Sequence, residues 1–397
     1  MTYDITIIGG GIVGTATGMA ILKKKPCKLL ILEAEDVLAA HQTGHNSGVI
    51  HSGLYYKPGS LKAENCITGR EQMYRFCEEQ GIHHERCGKV VVATSQEEIP
   101  ALNELERKGT LNGLTGMKRL KKQEIKEYEP HAEGIEALYI PQTGIVNYTK
   151  VTEAYGKIIQ ELGGEIRTNN KVKGILNKNN EITIETTGGN YSTRLLVNCA
   201  GLYSDRIARM CGTDPEVMIV PFRGEYYELV KEKEYLVKNL IYPVPDPRFP
   251  FLGVHFTRMI NGGIEAGPNA VMAFRREGYT NKDISPYDMA ELFLYKGFWS
   301  MVKTYYAMGW EEMKRSFSKE LFVKALQKLI PDIRSEDVRR SGAGVRAQAL
   351  DRSGKLLDDF CIKETKNMVH VLNAPSPAAT ASIAIGEKIA EVVIEHL

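Results

Sequence analysis

Two runs, Asp4-Ile-Thr-Ile-Ile-Gly-Gly-Gly-Ile-Val-Gly14 and Leu29-Leu-Ile-Leu-Glu33, decide the fold of this 397-residue chain. The isoleucines before the glycines form a short apolar run, which predicts a buried strand. Residues 12–24 then show the spacing of apolar side chains that is typical of a helix, and residues 29–32 form a second apolar run. Strand, helix and strand in this order predict a βαβ unit at the start of a parallel α/β domain.

The glycines between the first strand and the helix, Gly9, Gly11 and Gly14, occupy the G-x-G-x-x-G positions of a dinucleotide-binding turn. The first permits the tight turn, the second lets backbone approach a pyrophosphate, and the third lets the helix pack on the strand. Glu33 ends the second strand, where a carboxylate accepts hydrogen bonds from ribose hydroxyls. A glycine-rich turn in another parallel α/β domain is the alternative. An acid at this position favours FAD or NAD over NADP.

Composition and charge narrow the classes of function. Fifty-one basic and forty-nine acidic residues give a formal net charge of +2, so the totals show no nucleic-acid-binding footprint. The chain has no run of about 18 apolar residues and its first strand begins at once, so we expect neither a spanning helix nor a signal peptide. Seven cysteines without a C-x-x-C pair indicate neither a disulfide framework nor a zinc site, and we predict no metal ligands. These features favour a reducing cytoplasm.

A second group of candidate ligand contacts lies in residues 39–59, which are rich in glycine, hydroxyl, amide and imidazole groups. This composition favours a turn packed against a large polar ligand. We expect Thr43, Asn46 and Ser47 to donate hydrogen bonds to that ligand and Gly48 to allow its close approach.

Further candidate contacts recur far along the chain. Residues 195–201 repeat the pattern of an apolar strand running into glycine, so we expect their end to pass close to the pyrophosphate, an unrelated strand end being the alternative. Residues 373–380 are small and proline-rich and precede a predicted helix, whose N-terminal NH groups suit the pyrimidine end of a flavin. Because the contacts are spread over the whole chain, a permanently held FAD is favoured over an exchangeable nicotinamide cofactor. The predicted cofactor contacts are Gly9, Gly11, Ile12, Val13, Gly14, Glu33, Ala34, Thr43, Asn46, Ser47, Gly48, Val172, Cys199, Ala200, Gly201, Gly344, Val345, Pro375, Ser376 and Ala378.

These segments predict the fold class and the domain organisation. We expect an α/β protein, α+β overall, with a Rossmann-like FAD-binding domain that is discontinuous in sequence. The second domain is expected to bind substrate on a mostly antiparallel sheet with helices. The predicted FAD-binding domain comprises residues 1–88, 148–212 and 340–397, and the predicted substrate-binding domain comprises residues 89–147 and 213–339.

Several segments of the substrate-binding domain give more local predictions. Residues 138–147 alternate and turn like a pair of strands. The proline-rich residues 243–250 predict a rigid connecting or gating loop, and residues 251–258 and 262–267 predict a hairpin. Residues 285–329 are predicted to be helical with many aromatic and basic side chains. Aromatic side chains in this arrangement are expected to lie in the hydrophobic core or in a contact between subunits, and peripheral docking on a membrane is the alternative.

Several motifs resemble known flavoproteins. The N-terminal glycine pattern, the turn at Val345-Arg346 and the small-residue C-terminal helix resemble the D-amino-acid oxidase class, which includes glycine oxidase and glycerol-3-phosphate dehydrogenase. Longer segments are similar to the L-2-hydroxyglutarate dehydrogenase/oxidase family. These segments are His41-Gln-Thr-Gly-His-Asn-Ser-Gly-Val-Ile-His-Ser-Gly-Leu-Tyr-Tyr56, Pro221-Phe-Arg-Gly-Glu-Tyr-Tyr227, Phe251-Leu-Gly-Val-His-Phe-Thr-Arg258, Gly267-Pro-Asn-Ala-Val271 and Asn373-Ala-Pro-Ser-Pro-Ala-Ala-Thr380. The similarity spans nearly the full chain.

The resemblance implies oxidation of L-2-hydroxyglutarate to 2-oxoglutarate, in which a base takes the hydroxyl proton while hydride passes from C2 to flavin N5. His51 and His255 lie in segments predicted to face the ligand, and either is a candidate base, with a slight preference for His51. Each is alternatively a core histidine bound to backbone. Glycerol 3-phosphate or an amino acid is the alternative substrate. The alternative to an enzyme is a flavin-binding scaffold protein without turnover.

The two carboxylates of that dicarboxylate substrate require cations. Arg346 is the candidate for the α-carboxylate, because a planar guanidinium matches it with two hydrogen bonds. Candidates for the distal carboxylate are Arg223, Arg258, Tyr55 and Tyr56. For each arginine the alternative is a structural ion pair.

The sequence also bears on how the flavin is attached and on which acceptor takes its electrons. We expect FAD to be non-covalent, with covalent attachment through His45, as in related flavoenzymes, as the alternative. Quinone and oxygen are the candidate electron acceptors. We expect the protein in the cytoplasm, and if the aromatic and basic helices dock on a membrane, a quinone at the inner face of the cell membrane is the acceptor.

Overall fold

The computed structural model describes residues 2–178, 181–246 and 253–397. The strands are β1 (Thr2–Ile8), β2 (Leu29–Leu32), β3 (Val49–Ile50), β4 (His84–Glu85), β5 (Lys89–Ala93), β6 (Lys118–Lys121), β7 (Glu136–Ile140), β8 (Gly144–Val146), β9 (Glu165–Arg167), β10 (Val172–Lys178), β11 (Glu181–Thr186), β12 (Asn190–Asn198), β13 (Val217–Leu229), β14 (Leu240–Pro243), β15 (His255–Arg258), β16 (Ile264–Gly267), β17 (Val271–Met272), β18 (Val338–Asp351), β19 (Cys361–Thr365) and β20 (Met368–Asn373). The helices are α1 (Ile12–Lys24), α2 (Leu61–Glu79), α3 (Ile99–Leu111), α4 (Lys122–Tyr128), α5 (Tyr148–Glu161), α6 (Ser204–Met210), α7 (Pro286–Leu294), α8 (Lys296–Phe317), α9 (Lys319–Gln327) and α10 (Ser382–Glu395).

The first sheet has the strand order β10-β11-β12-β1-β2-β9, and β20 and β19 extend it from β12. The central strand β1 pairs in parallel with both β12 and β2, and β12 pairs in parallel with β20. Helices α1, α5 and α10 pack around a core that includes the fully buried Ile5, Ile7 and Val197. The predicted βαβ unit and the Rossmann-like sheet are confirmed, and α1 and β2 have the predicted bounds.

The second sheet has the order β17-β13-β16-β15-β14-β5-β7-β6, with β18 paired to β13. Its pairs are antiparallel apart from β14 with β5. One face packs on α9 through Phe322 and Leu326, and the other packs on α3 through Leu102. The predicted mostly antiparallel sheet is therefore confirmed.

The two strands predicted in residues 138–147 are present as β7 and β8, but the prediction that they pair with each other is wrong. β7 joins the second sheet between β5 and β6, whereas β8 pairs with β3 and β4 in a separate three-stranded sheet. The turn between β7 and β8 carries the chain from one sheet to another. Alternation along a short strand indicates which faces are buried but does not specify the partner strand.

The long strand β18 connects the two parts of the molecule. It pairs with β13 from Val217 opposite Asp351 to Leu229 opposite Val338, so it lies in the second sheet. The FAD-binding segment predicted to begin at residue 340 therefore begins inside a strand of the second sheet. The other domain boundaries stay predictions.

The remaining local predictions fall in the second half of the chain. The predicted hairpin is present as β15 and β16, which pair antiparallel. Residues 247–250 of the predicted loop and residues 251 and 252 of the next motif lie outside the described residues. The predicted helical region is divided into α7, α8 and α9. Within the described ranges, no helix has both the length and the apolar character needed to cross a membrane.

Candidate functional site

The glycine turn after β1 is held by close contacts between backbones. Gly9 has a φ of +113°, and a Cβ on it would collide with the carbonyl of Cys199 at the end of β12. A Cβ on Gly14 would collide with the carbonyl of Gly9, so α1 packs directly on the turn. Gly11 is different, because a Cβ there would meet only Thr43 Oγ1, at 3.4 Å. The space in front of the α1 N-terminus is thus left for a ligand, as a pyrophosphate-binding turn requires.

The carboxylate of Glu33 is fixed at the end of β2. It is 7% exposed and accepts hydrogen bonds from Gly10 N at 2.7 Å and Glu35 N at 3.0 Å. The Glu33 carbonyl accepts from Asn170 N at 2.8 Å, which brings the start of β10, with Val172, next to this turn. A carboxylate has about four acceptor sites, so Glu33 retains capacity for ribose hydroxyls. Ala34, the next residue, is exposed beside it.

The loop over residues 41–48 packs against the N-terminus of α1. Thr43 Oγ1 accepts a hydrogen bond from Ile12 N at 3.1 Å and so caps that helix. The Asn46 amide donates to Thr43 O at 2.6 Å and accepts from Gly48 N at 2.9 Å. The sequence predicted donation from Asn46 to a ligand, whereas its side chain here stabilises its own loop. Ser47 beside it is half-buried.

Segments that are distant in sequence meet this loop. Gln42 Oε1 accepts from Ala347 N at 2.8 Å, and its Nε2 lies only 3.0 Å from the position that a Cβ on Gly201 would take. A Cβ on Gly344 would collide with the carbonyl of His45. Two distant segments therefore lie on one side of the α1 N-terminus. One is the turn after β12, with Cys199, Ala200 and Gly201, and the other is the part of β18 with Gly344 and Val345.

The segment before α10 meets the loop after β3. His51 N donates to Thr380 Oγ1 at 3.0 Å, and the hydroxyl of Tyr148 hydrogen-bonds the same oxygen at 2.9 Å. The hydroxyl of Tyr56 hydrogen-bonds Ser376, between Pro375 and Ala378. The C-terminal candidate contacts and the candidate histidine loop are thus parts of one site.

Both candidate histidines are neutral in this environment. His255 Nδ1 lies 2.8 Å from the carbonyl of Gly253, which leaves Nε2 as the acceptor, and its ring stacks on Tyr242 with centroids 3.9 Å apart. Burial lowers the pKa of His255 to about 4, and the charges of Lys89 and Arg346 act in the same direction. Burial, followed by the charge of Lys89, lowers the pKa of His51 to about 3. Neutral imidazoles at physiological pH are able to accept a proton.

A lysine that the sequence did not mark as a candidate lies close enough to both histidines to affect their pKa values. Lys89, the first residue of β5, is 1% exposed, and burial lowers its pKa to about 7. Its Nζ donates to the hydroxyl of Tyr55 at 3.2 Å and lies 4.8 Å from the ring centroid of Tyr242. A lysine at the head of an apolar strand normally indicates a solvated strand end, so no signal in the sequence marks it.

The three candidate arginines lie in different surroundings. On the paired strands Arg346 is opposite Phe222 and Arg223 is opposite Val345, so the two arginines point to opposite faces of the sheet. Arg346 lies close enough to His51, His255 and Tyr56 to affect their pKa values.

Arg223 and Arg258 are engaged by protein groups. Arg223 is buried, forms an ion pair with Glu225 at 3.0 Å and also donates to the carbonyl of Thr280 and to Asn281. Arg258, at the far end of β15 from His255, pairs with Glu85 at 2.6 Å. The structure therefore brings Arg346, Tyr55 and Tyr56 together with the histidines, and it does not bring Arg223 and Arg258 there.

Comparisons with known proteins agree with this arrangement. The family model described as FAD dependent oxidoreductase matches residues 4–392. The chain is similar over its whole length to the Mycoplasma pneumoniae L-alpha-glycerophosphate oxidase structure with FAD bound, with a TM-score of 0.81, 21% identity and coverage of 99% of this chain and 95% of that one. It is also similar to glycine oxidase from Geobacillus kaustophilus, with a TM-score of 0.72, 18% identity and coverage of 99% and 95%. At these identities the structural likeness concerns the fold.

The sequence relatives are closer. The chain is 55% identical to the L-2-hydroxyglutarate dehydrogenase of Indibacter alkaliphilus over 100% of both chains. It is 47% identical to the human mitochondrial L-2-hydroxyglutarate dehydrogenase, covering 99% of this chain and 89% of the relative, and 44% identical to that of Escherichia coli K12, covering 98% and 93%.

The fold and the glycine turn therefore define an FAD dependent oxidoreductase. Within that class the chain belongs to the L-2-hydroxyglutarate dehydrogenase family, as its motifs predicted. The cofactor is FAD, and the residues of the turn fit it. Gly11 faces open space in front of α1, and Glu33 is oriented at the end of β2.

Substituting Gly11 separates cofactor binding from folding. Gly11 has φ −76° and ψ 177°, which any residue adopts, so a valine there leaves the fold intact while its side chain occupies the space for the pyrophosphate. We expect Gly11→Val to bind FAD at least ~10-fold more weakly, about 1.4 kcal/mol, with the melting temperature of the flavin-free protein unchanged. Flavin titration and thermal unfolding measure the two quantities.

Gly309→Val on α8 is the matched control, because a Cβ there meets nothing within 4 Å. It is expected to retain FAD as the parent does. Equal FAD affinity in Gly11→Val and the parent protein would contradict the assignment of this turn.

Proposed function

We propose that this protein oxidises L-2-hydroxyglutarate to 2-oxoglutarate with FAD as the hydride acceptor. The observation that carries the proposal is a pocket with two neutral imidazoles and the cations Lys89 and Arg346, in a chain 55% identical to a protein named L-2-hydroxyglutarate dehydrogenase. Bound FAD supplies hydride acceptance at N5. The protein itself must bind two carboxylates, orient C2 and accept the hydroxyl proton.

Arg346 is proposed to bind the α-carboxylate. Arg346 is exposed on β18 and lies close enough to both histidines to affect their pKa values, so a carboxylate bound to its guanidinium would hold C2 near the imidazoles. Burial raises the pKa of Tyr55 and of Tyr56 well above the usual value, so both hydroxyls remain protonated donors. These tyrosines are proposed to orient the substrate beside Arg346.

His255 is the proposed base. Its Nδ1 is held by the carbonyl of Gly253, so Nε2 carries the lone pair and the stacked Tyr242 fixes the ring plane. His51 is held through its backbone, with its NH bonded to Thr380 and its carbonyl accepting from Cys66 Sγ at 3.4 Å. An imidazole with a fixed tautomer and plane is better prepared for proton transfer. His51 is the second candidate.

The substrate assignment is tested by anaerobic reduction of the bound flavin. Addition of L-2-hydroxyglutarate is expected to bleach the flavin absorption, because two electrons pass to the cofactor. The D enantiomer, glycerol 3-phosphate and small amino acids serve as controls and are expected to leave the band unchanged. A flavin that stays oxidised with L-2-hydroxyglutarate would refute the proposed function.

Substitution of the histidines identifies the base. We expect His255→Asn to lower kcat by about 10²–10⁴-fold, and His51→Asn to lower it by less than about tenfold. The neutral form of either imidazole is lost only as pH falls through its lowered pKa, about 4 for His255 and about 3 for His51. In the parent protein kcat/KM therefore changes less than about twofold from pH 7 to 5.5, whereas an unperturbed histidine loses about tenfold.

The opposite ranking of the two variants would assign the base to His51. A parent profile that falls with a midpoint near pH 6.5 would show that neither imidazole keeps its lowered pKa in the working enzyme. Flavin content and melting temperature of both variants serve as the control for folding.

The electron acceptor is proposed to be a quinone at the membrane surface, with the protein in the cytoplasm against the inner face. Trp299, Tyr306, Trp310 and Phe317 on α8 are all exposed, at 56%, 68%, 56% and 70%. At about 100° per residue they lie within about 20° of one line along the helix. Leu294, 86% exposed, ends α7 beside this line. An exposed apolar stripe of this kind suits the interfacial region of a bilayer.

Basic residues accompany the aromatic line on α8. Lys296, Lys303 and Lys314 lie about 40–60° to one side of it, where they face anionic headgroups when the aromatic side chains insert. Lys314 pairs with Glu311 at 2.9 Å, which leaves Lys296 and Lys303 as the stronger contributors. Oxygen remains the alternative acceptor.

Sedimentation with anionic phospholipid vesicles tests the membrane contact. The double variant Trp299→Glu/Trp310→Glu is expected to lose at least half of the vesicle-bound fraction, because two carboxylates replace the inserting rings. Tyr235→Glu, at an exposed tyrosine away from α8, is the matched control and is expected to sediment as the parent does. A parent protein that stays in the supernatant and does not reduce quinone analogues would contradict the proposal, and oxygen would then be the acceptor to examine.

A further inference from the structure

The distal carboxylate of the proposed substrate has no partner among the sequence-predicted arginines. Arg223 points away from Arg346 and is held by Glu225, and Arg258 is held by Glu85. A dicarboxylate bound through one end at Arg346 requires a second cation within the same pocket. The cation that the fold buries there is Lys89.

Sheet geometry places Lys89 on the histidine side of the pocket. Ile241 is paired with Val90 on one side and with Phe256 on the other, and all three are in the core cluster on one face. The neighbouring residues therefore point to the other face, which carries Lys89, Tyr242 and His255. Tyr242 separates the two functional groups, with its ring 4.8 Å from Lys89 Nζ and stacked on His255.

The surroundings of Lys89 provide no counter-charge. The Tyr55 hydroxyl accepts one hydrogen bond from Nζ at 3.2 Å, and the ring centroids of Tyr55 and Tyr242 lie 4.3 and 4.8 Å from Nζ. Across the described ranges, no carboxylate lies within ion-pairing distance of it. An ammonium has three donors, so two remain for a ligand. Burying such a cation without a partner is costly, and an anionic ligand that supplies the missing charge offsets this cost.

We propose that Lys89 binds the distal carboxylate of the substrate and so selects dicarboxylates over monocarboxylates. This inference rests on the proposed function, since it assigns the second carboxylate of the same substrate. Arg346 and Lys89 each lie close enough to both histidines to affect their pKa values, so a substrate bound to the two cations has its C2 near the imidazoles.

A pH dependence of substrate binding follows from this position. The groups that face Lys89 are Tyr55 from the loop after β3, Cys66 from α2, Tyr242 from β14, His51, and His255 from β15. None of them is a carboxylate. Burial lowers the pKa of Lys89 to about 7, so the binding form, the ammonium, is lost as pH rises through that value. In the parent protein KM for the dicarboxylate is expected to rise about fivefold from pH 7 to 8 and to approach about tenfold per pH unit above that.

The test compares a pair of substrates that differ by one carboxylate. The holoenzyme and Lys89→Met are assayed with L-2-hydroxyglutarate and with L-2-hydroxybutyrate, using a soluble dye as acceptor. We expect kcat/KM for the dicarboxylate to fall about 100-fold in Lys89→Met, mainly through KM, and that for the monocarboxylate to change less than threefold. The pH dependence of KM above pH 7 is expected to disappear in this variant.

A second lysine near the site, Lys62, provides the control: its Nζ lies 5.2 Å from the ring centroid of Tyr56 and donates to the carbonyl of Asp358 at 3.2 Å, so it tests whether a neighbouring cation selects the dicarboxylate instead. Lys62→Met is expected to keep the preference for the dicarboxylate. Lys89→Gln is a second variant, for use if the methionine variant does not fold. Flavin content and melting temperature report on folding in each case.

Three outcomes would overturn the inference. If both substrates lose kcat equally in Lys89→Met, Lys89 acts on the reaction and not on the distal carboxylate. If neither substrate is affected, or if Lys62→Met alone abolishes the preference, Lys89 does not bind substrate. Failure of the parent enzyme to oxidise L-2-hydroxyglutarate at all refutes the proposed function instead, so the two failures are distinguishable.

Discussion

The close approach of two backbones, at the ends of β1 and β12, is the constraint on which the cofactor site depends. Gly9 takes a positive φ and lies against the carbonyl of Cys199, and Gly14 lies against the carbonyl of Gly9. A side chain at either glycine would force strand and helix apart. Because parallel strands end side by side here, their ends form the crevice at which ligands of open α/β sheets bind. The α10 segment and β18 are then brought to the same crevice from the far end of the chain.

The charge states of His51, His255 and Lys89 depend on their burial in a part of the site where the groups that face Lys89 include no carboxylate. Desolvation disfavours every charged form, which keeps His51 and His255 neutral and lowers the pKa of Lys89 to about 7. A dianionic substrate reverses this balance for the lysine, since it provides a counter-charge that none of the described residues supplies. The negative charge of the distal carboxylate thus pairs with the positive charge of the buried lysine, which is a physical basis for selecting a dicarboxylate.

The local elements of this protein are predictable because their signals are local. The bounds of α1 and β2 follow from apolar spacing and from the glycine turn, and the helical character of the region containing α7, α8 and α9 was also predicted from sequence. Pairing partners are different: β8 alternates as a strand should, yet it pairs with β3 and β4 and not with β7. A three-residue strand has too few side chains to specify its partner, so the packing of the whole domain decides.

The sequence by itself determined the family and the FAD-binding turn, and it supplied the histidines and arginines that are candidates for the site, because each lies in a motif that is contiguous along the chain. Tertiary structure alone decided which of them meet. Strand register sends Arg346 and Arg223 to opposite faces, and the pairing of β5 with β14 places Lys89 beside Tyr242 in the interior. The physical reason is that a side chain's charge and role depend on its neighbours and its burial, which strands hundreds of residues apart provide only after folding.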